Sequence, residues 1–310
     1  MTSEWIKIAA PATTSNIGPG FDTFGLALRE PYDIIEGRKI PEGIIISEIT
    51  GPGSGSISRN PNINSVGIAA NEVLKRCKAD FGIEIKIRKG IRPCSGIGSS
   101  GASAAGGAFL AHLLCDNKLS TSELILCAAH AEDVTSGGFH ADNVAPCILG
   151  GFTIIRSYEP FEVTRITPPK DLGIVVALPD IMVPTIESRK VLPKEVSVKD
   201  LVFHVGNAST LVYGMMTGDL NLVGRSVKDA VFEPARVHLV PFLKEAESVA
   251  MSHGALVSFL GGSGPCVMSF YDKNTHKGEI IAKSIEDLYK KNGINCDTWI
   301  TECGEGCRRI

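Results

Sequence analysis

The chain has 310 residues, enough for two domains or one large one with a full core. Lysine and arginine number 31 against 34 acidic residues, a net charge of −3, which argues against a general nucleic-acid or anionic-membrane binder. Hydrophobic residues make up 44% and aromatics 6%, the values of an ordinary soluble enzyme, and no apolar run approaches membrane-spanning length.

Nine cysteines are scattered without a C-x-x-C pair. The nearest two, Cys303 and Cys307, have no neighbouring histidine, so free thiols in a reducing compartment fit better than zinc. The start, Met1-Thr2-Ser3-Glu4-Trp5, lacks the charged and apolar regions of a signal peptide. The expected location is the cytoplasm.

Residues 5–10 alternate as a first strand, and a loop dense in turn formers follows over 11–22. In that loop Asn16 and Asp22 sit in a stiff Gly18-Pro19-Gly20 frame, which favours a binding role over a plain connector. Strands are expected at 32–36 and 44–49, and the Gly/Ser stretch 51–58 reads as a hairpin or lid without side-chain chemistry. Helical periodicity runs over 62–81 and ends at Gly82 as a C-cap. Ile83, Ile85 and Ile87 then alternate as a strand.

That strand leads into Pro93-Cys94-Ser95-Gly96-Ile97-Gly98-Ser99-Ser100-Gly101-Ala102-Ser103, which opens an Ala/Gly-rich helix over about 99–114. Glycines let backbone N–H groups turn toward one spot, and the helix start adds its unpaired amides, so the stretch reads as an anion cradle. Its serine hydroxyls suit phosphate or a divalent ion. Gly96-Ile97-Gly98-Ser99-Ser100-Gly101 also fits G-x-G-x-x-G, but Pro93 interrupts the approach, and the acidic residue required by a dinucleotide site would fall between helices. No lysine follows the glycines, so a Walker loop fails too.

A capping box at Ser120 and Glu123 starts the next helix, expected to stop near Gly137-Gly138. Glu132 lies beside its apolar stripe and reads equally as a solvated rim residue or a ligand. His140, Asp142 and Asn143 cluster after the Gly-Gly break and before an apolar run over 147–155. Composition shifts at 160–169, the expected domain boundary. The second half offers a buried strand at 173–178, Thr185 and Arg189, a helix over 198–216, Arg236, and a helix to His253. It continues with the run Ala255-Leu256-Val257-Ser258-Phe259-Leu260, the glycine loop 261–265, a strand at 266–271, a helix at 277–291 and a strand near 296–300. Short alternating units make α+β the expected class.

Three separated stretches resemble the GHMP kinases, ATP-dependent small-molecule kinases: 11–22, the loop 93–103, and Gly261-Gly262-Ser263-Gly264-Pro265. Finer features are similar to the homoserine kinase family among them: Gly20-Phe21-Asp22, the run 140–146, and Glu233-Pro234 followed by Arg236. Ile97 replaces a usual Leu, Gly101 a usual Ala, and Gly261 a usual small polar residue. Of these, Gly101 lowers helix propensity by up to ~1 kcal/mol.

The resemblance implies a GHMP kinase fold, with an N-terminal ribosomal-protein-like α+β domain (1–165) and a C-terminal ferredoxin-like α+β domain (166–310). It implies ATP and Mg²⁺, with the phosphates on residues 93–103 and the metal on Glu132 and Ser100, Ser99 being the alternative. The implied substrate is L-homoserine: Arg189 and Arg236 on its carboxylate, Asp22 and Asn16 on its ammonium, His140 and Asp142 closing the pocket, Thr185 near Arg189. Where the wider superfamily often has an aspartate base, this chain has Asn143, which would orient the hydroxyl without taking its proton. A relative acting on mevalonate, shikimate or a sugar would need other groups at 140–143, 189 and 236, and a non-catalytic relative would bind ATP without consuming it. A homodimer is compatible with the chain, but no sequence pattern demands one.

Overall fold

A computed structural model describes residues 4–136 and 138–310. The residues Met1–Ser3 and the expected helix stop at Gly137 lie outside the described residues. Among those described, the strands form one sheet of seven and one of four.

The seven-stranded sheet starts with β1 (Ile6–Ser15), β2 (Phe24–Ile40) and β3 (Ile44–Thr50). Helix α1 (Ser65–Cys77) then leads to β4 (Gly82–Arg88), α2 (Ser99–Leu114), α3 (Thr121–Ser136), α4 (Val144–Leu149), β5 (Phe152–Tyr158) and β6 (Phe161–Ile166). The order β1-β2-β4-β3 is antiparallel except for the parallel β3–β4 pair, and the N-terminal end of β2 also carries β5 and β6. Ile83, Ile85 and Ile87 point into the core as their alternation requires. Helices α1, α2 and α3 pack on one another, and α1 and α2 also pack on the sheet. A side chain at Gly107 would strike the Val66 backbone of α1, so the small residues of α2 do permit a close approach.

The remaining elements are β7 (Leu172–Pro179), α5 (Thr185–Lys190), α6 (Val198–Thr217), α7 (Leu220–Ser226), α8 (Phe232–Arg236) and α9 (Leu243–Ser252). They finish with β8 (Val257–Leu260), β9 (Val267–Asp272), α10 (Gly278–Lys291), β10 (Cys296–Glu302) and β11 (Arg308–Arg309). The second sheet runs β10-β7-β9-β8 with antiparallel pairing throughout, the ferredoxin-like order. Alternation along β7 explains its complete burial. Val175 and Ala177 face the core under α9 and α10, while Ile174 and Val176 join the larger core shared with the first sheet.

Several expected boundaries move. Residues 11–15, expected as loop, extend β1, because Thr13, Thr14 and Ser15 pair with Ala27, Leu26 and Gly25. Helix α1 is shorter than 62–81. The Asn64 side chain accepts from Val66 N at 2.9 Å, and Lys78 closes the other end with φ 49°, so Gly82 opens a strand instead of capping a helix. The run 147–155 divides between α4 and β5, and most of 160–169 forms β6 in the first sheet. After β10 the chain returns to that sheet. Gly304 N donates to Ala27 O, Cys307 N to Cys147 O at 2.7 Å, and β11 pairs with β1.

Candidate active site

A cleft of about 560 Å³ lies between the two sheets' loops, lined from the first half by Ser95, Ser100, Glu132 and Asn143 and from the second by Arg189 and Arg236. Ser56, Ile57 and Ser58 also line it, so the Gly/Ser stretch forms part of its wall around a short 3-10 turn at Ser54–Ser56.

Residues 93–98 curl by placing Cys94, Gly96 and Gly98 at φ 55°, 77° and 68°. Gly98 precedes α2, and among the described residues no side chain caps that helix start, which leaves its first amides to an anion. Among the described residues the buried Ser95 hydroxyl also has no hydrogen-bond partner, which suits it to a phosphate oxygen. The two candidate serines behave differently. Ser99 Oγ donates to Ile91 O at 3.0 Å, whereas Ser100 Oγ donates to Glu132 Oε1 at 2.5 Å. Ser65 Oγ lies 3.2 Å from Ser100 Oγ and 3.3 Å from Thr135 Oγ1, so α1, α2 and α3 bring hydroxyls and one carboxylate together. Burial pushes Glu132 up to about 7, with Asp142 adding to the rise and Ser100 opposing it. A half-buried carboxylate grouped with hydroxyls is a hard-oxygen set that fits Mg²⁺.

Beneath the loop lies an ion pair that sequence reasoning missed. The buried Lys89 ammonium bonds to Asp33 and donates to Ser103 Oγ at 2.9 Å and Ser99 O at 3.3 Å. Asp33 Oδ1 accepts from Gly90 N and Ile91 N. The pair therefore ties the end of β4 to the first turn of α2. Its only sequence signal was a lysine next to Arg88 just past an alternating strand.

Against the start of α2, Asn143 is held by β1: Thr13 Oγ1 donates to its Oδ1 at 2.8 Å, and its Nδ2 donates to Ser15 Oγ at 3.0 Å. Thr13 and Ser15 were not anticipated, because residues 11–15 read as loop. Gly101 concerns more than helix stiffness, since a Cβ there would lie 2.9 Å from Asn143 Cβ. Asp142 is buried and its carboxyl is raised to about 6, first by burial and then by Asp22. Burial lowers His140, whose Nδ1 is 3.6 Å from Asp22 Oδ2.

The residues assigned to the zwitterion partly engage one another. Asp22 pairs with Arg189 at 2.7 and 3.3 Å. Asn16 Nδ2 donates to Gly262 O at 3.1 Å and its Oδ1 accepts from Asp22 N at 2.9 Å, so Asn16 ties the N-terminal loop to the second glycine loop. Thr185 Oγ1 meets Ser263 Oγ at 3.4 Å. Tyr158, also missed, donates to Asp22 O and accepts from Ala141 N, both at 3.3 Å. Arg236 is only 2% exposed, and its guanidinium donates to Ser188 O and Gly262 O, each at 3.2 Å. Among the described residues no carboxylate comes within ion-pair distance of it. Burial, with Arg189 nearby, lowers it to about 10. Both guanidiniums lie over the Phe21 ring, at 5.6 Å for Arg189 and 5.4 Å for Arg236.

This geometry has relatives. Residues 64–151 match the GHMP kinases N terminal domain and residues 211–291 the GHMP kinases C terminal domain. The homoserine kinase of Methanococcus maripaludis is 43% identical over 305 residues, spanning 97% of each chain. The chain belongs to the homoserine kinase family of GHMP kinases. It is accordingly an ATP-dependent kinase. A second family member, from Pyrococcus horikoshii, is 39% identical over 98% of this chain and 99% of its own. The solved homoserine kinase of Cytophaga hutchinsonii superposes with a TM-score of 0.93 at 33% identity, covering 99% of this chain and 97% of its own. The fold reaches beyond the family: L. major mevalonate kinase superposes with a TM-score of 0.72 at 16% identity, covering 96% of each chain.

Proposed function

We propose that this kinase transfers the γ-phosphoryl group of ATP to the side-chain hydroxyl of L-homoserine, giving O-phospho-L-homoserine and ADP, a step of threonine biosynthesis carried out in the cytoplasm. The observation that carries the reading is Arg236, a buried guanidinium beside the second glycine loop that has backbone carbonyls but, among the described residues, no carboxylate for partners. Burying a cation without a counter-ion is costly, and a substrate carboxylate would compensate it.

In this reading the loop 93–103 and the start of α2 hold the phosphates. Ser100 and Glu132 hold Mg²⁺, which would neutralise phosphate charge when bound. Ser99 is the weaker ligand candidate because its hydroxyl already donates to Ile91 O. Arg236, with Arg189, receives the carboxylate, and Asp22, kept in place by Tyr158 and Arg189, receives the ammonium. Asn16, His140, Asp142 and Thr185 frame that pocket. Asn143 accepts the homoserine O–H through the free lone pair of Oδ1 and turns the oxygen toward phosphorus. That oxygen forms the new P–O bond as the bond from phosphorus to the β,γ-bridging oxygen breaks, and the hydroxyl proton leaves to solvent or phosphate. Phosphoryl transfer needs little base assistance, so positioning and charge stabilisation suffice. We further propose that 1–165 and 166–310 act as the two walls of this cleft.

The test is ADP release from ATP with homoserine, shikimate and mevalonate as acceptors. Homoserine alone should support turnover above the water background. Turnover with another acceptor only, or with none, overturns the reading.

A further inference from the structure

Glu233 stands three residues before Arg236 on α8, a spacing that sets the two side chains on one face of the helix. Asp229 accepts from Val231 N, Phe232 N and Glu233 N at 2.8–2.9 Å, and Pro234 has no N–H to satisfy. The helix start therefore does not need the Glu233 side chain. Its carboxylate reaches outside the helix instead.

Glu233 Oε2 accepts from Leu260 N at 2.8 Å, and Arg236 donates to Gly262 O at 3.2 Å. One short helix thus grips the second glycine loop at its entry and at its second glycine. Strand β8 is the last of its sheet, and Leu260 N points off that open edge. Leu260 is buried, so an N–H left unmet there would be costly. Gly262 also donates its N–H to Ser15 O and accepts from Asn16 Nδ2, so the placing of this loop governs the Arg236 and Asn16 contacts together.

The other oxygen, Glu233 Oε1, lies 2.5 Å from Lys244 Nζ, which also reaches Glu247 Oε2 at 2.8 Å. Lys244 is half exposed, so this pair contributes little stability. Its effect is geometric. With Lys244 on one oxygen and Leu260 N on the other, the carboxylate is engaged away from Arg236, and the guanidinium keeps its charge for a ligand.

We infer that Glu233 is a positioning residue for substrate binding. It fixes Leu260 at the entry to the second glycine loop, and through Gly262 it sets the Arg236 guanidinium where a substrate carboxylate can meet it. The inference rests on the proposed role of Arg236 in receiving the homoserine carboxylate.

Two conservative variants separate reach from charge. Glu233→Asp keeps the charge but falls one methylene short of Leu260 N, whereas Glu233→Gln keeps the acceptor and loses the charge. In steady-state kinetics Glu233→Asp should raise the homoserine KM about tenfold, the order of one lost charge-assisted hydrogen bond, with kcat and the ATP KM within about threefold. Glu233→Gln should stay within about threefold of wild type in all three. KM does not depend on how much of the enzyme is folded, so a purely structural role would lower apparent kcat and leave KM alone. In an Arg236→Ala background Glu233→Asp should add nothing to the homoserine KM, as two residues acting through one contact require. A homoserine KM unmoved by Arg236→Ala overturns the substrate reading and the inference with it. Where Arg236→Ala does raise it, the inference alone is overturned by an unmoved KM in Glu233→Asp, by equal impairment of Glu233→Gln, or by additive effects in the double variant.

Discussion

At the scale of single residues, the site separates groups that hold substrate from groups that hold other groups. Arg236→Ala should raise the homoserine KM by about 100-fold with kcat changed only a few-fold, the signature of lost ground-state binding, read by steady-state kinetics. Asn143→Ala should instead lower kcat by about 100-fold or more, since positioning is its proposed part. It should also lower the thermal midpoint, because Thr13 loses its buried acceptor, a cost of about 1–3 kcal/mol. Glu132 predicts a pH dependence. Its folded value of about 7 lies above the ordinary 4.5, so its contribution to metal-free stability is complete below 4.5 and lost as pH rises through 7. Mg²⁺ competes with that proton, so apparent Mg²⁺ affinity should climb between about pH 6 and 8 and flatten in Glu132→Gln, as measured by calorimetric titration. The sequence exposed Glu132 as a charged residue beside an apolar stripe. It could not expose that Asp22 and Arg189 meet each other, because residues 167 apart in the chain carry no local sign of contact.

At the scale of elements, α2 was legible end to end because its cues are local: a glycine loop, an apolar run and its stop. The capping box is equally local, and Ser120 and Glu123 bond reciprocally as their spacing implies. Strand β1 was half legible. Thr13 and Ser15 look like loop residues alone and become strand only through pairing with β2. The join between β1, α2 and α4 at Gly98 is where a small change should be felt. A Cβ there would fall 2.1 Å from Thr13 Oγ1 and 2.9 Å from Asn143 Oδ1, at a φ that already disfavours side chains. Gly98→Ala should therefore destabilise the chain by about 1–3 kcal/mol in urea and lower kcat together with it. Unaltered kinetics in a folded Gly98→Ala would mean that Asn143 need not stay where β1 holds it.

For the whole molecule, the ferredoxin-like sheet could be expected from the family likeness, but the return of residues 303–310 to the first sheet could not. It rests on backbone bonds, which any residues can make, and on the burial of Cys307. Removing 303–310 should lower the urea midpoint by an amount equivalent to at least about 3 kcal/mol, through lost backbone bonds and buried surface. The same seam bears on how the chain is made. Strand β1 leaves the ribosome first, yet the β11 segment that covers its outer edge comes from the far end of the chain. Throughout synthesis the first sheet therefore carries an open strand edge, the kind of surface that recruits other chains.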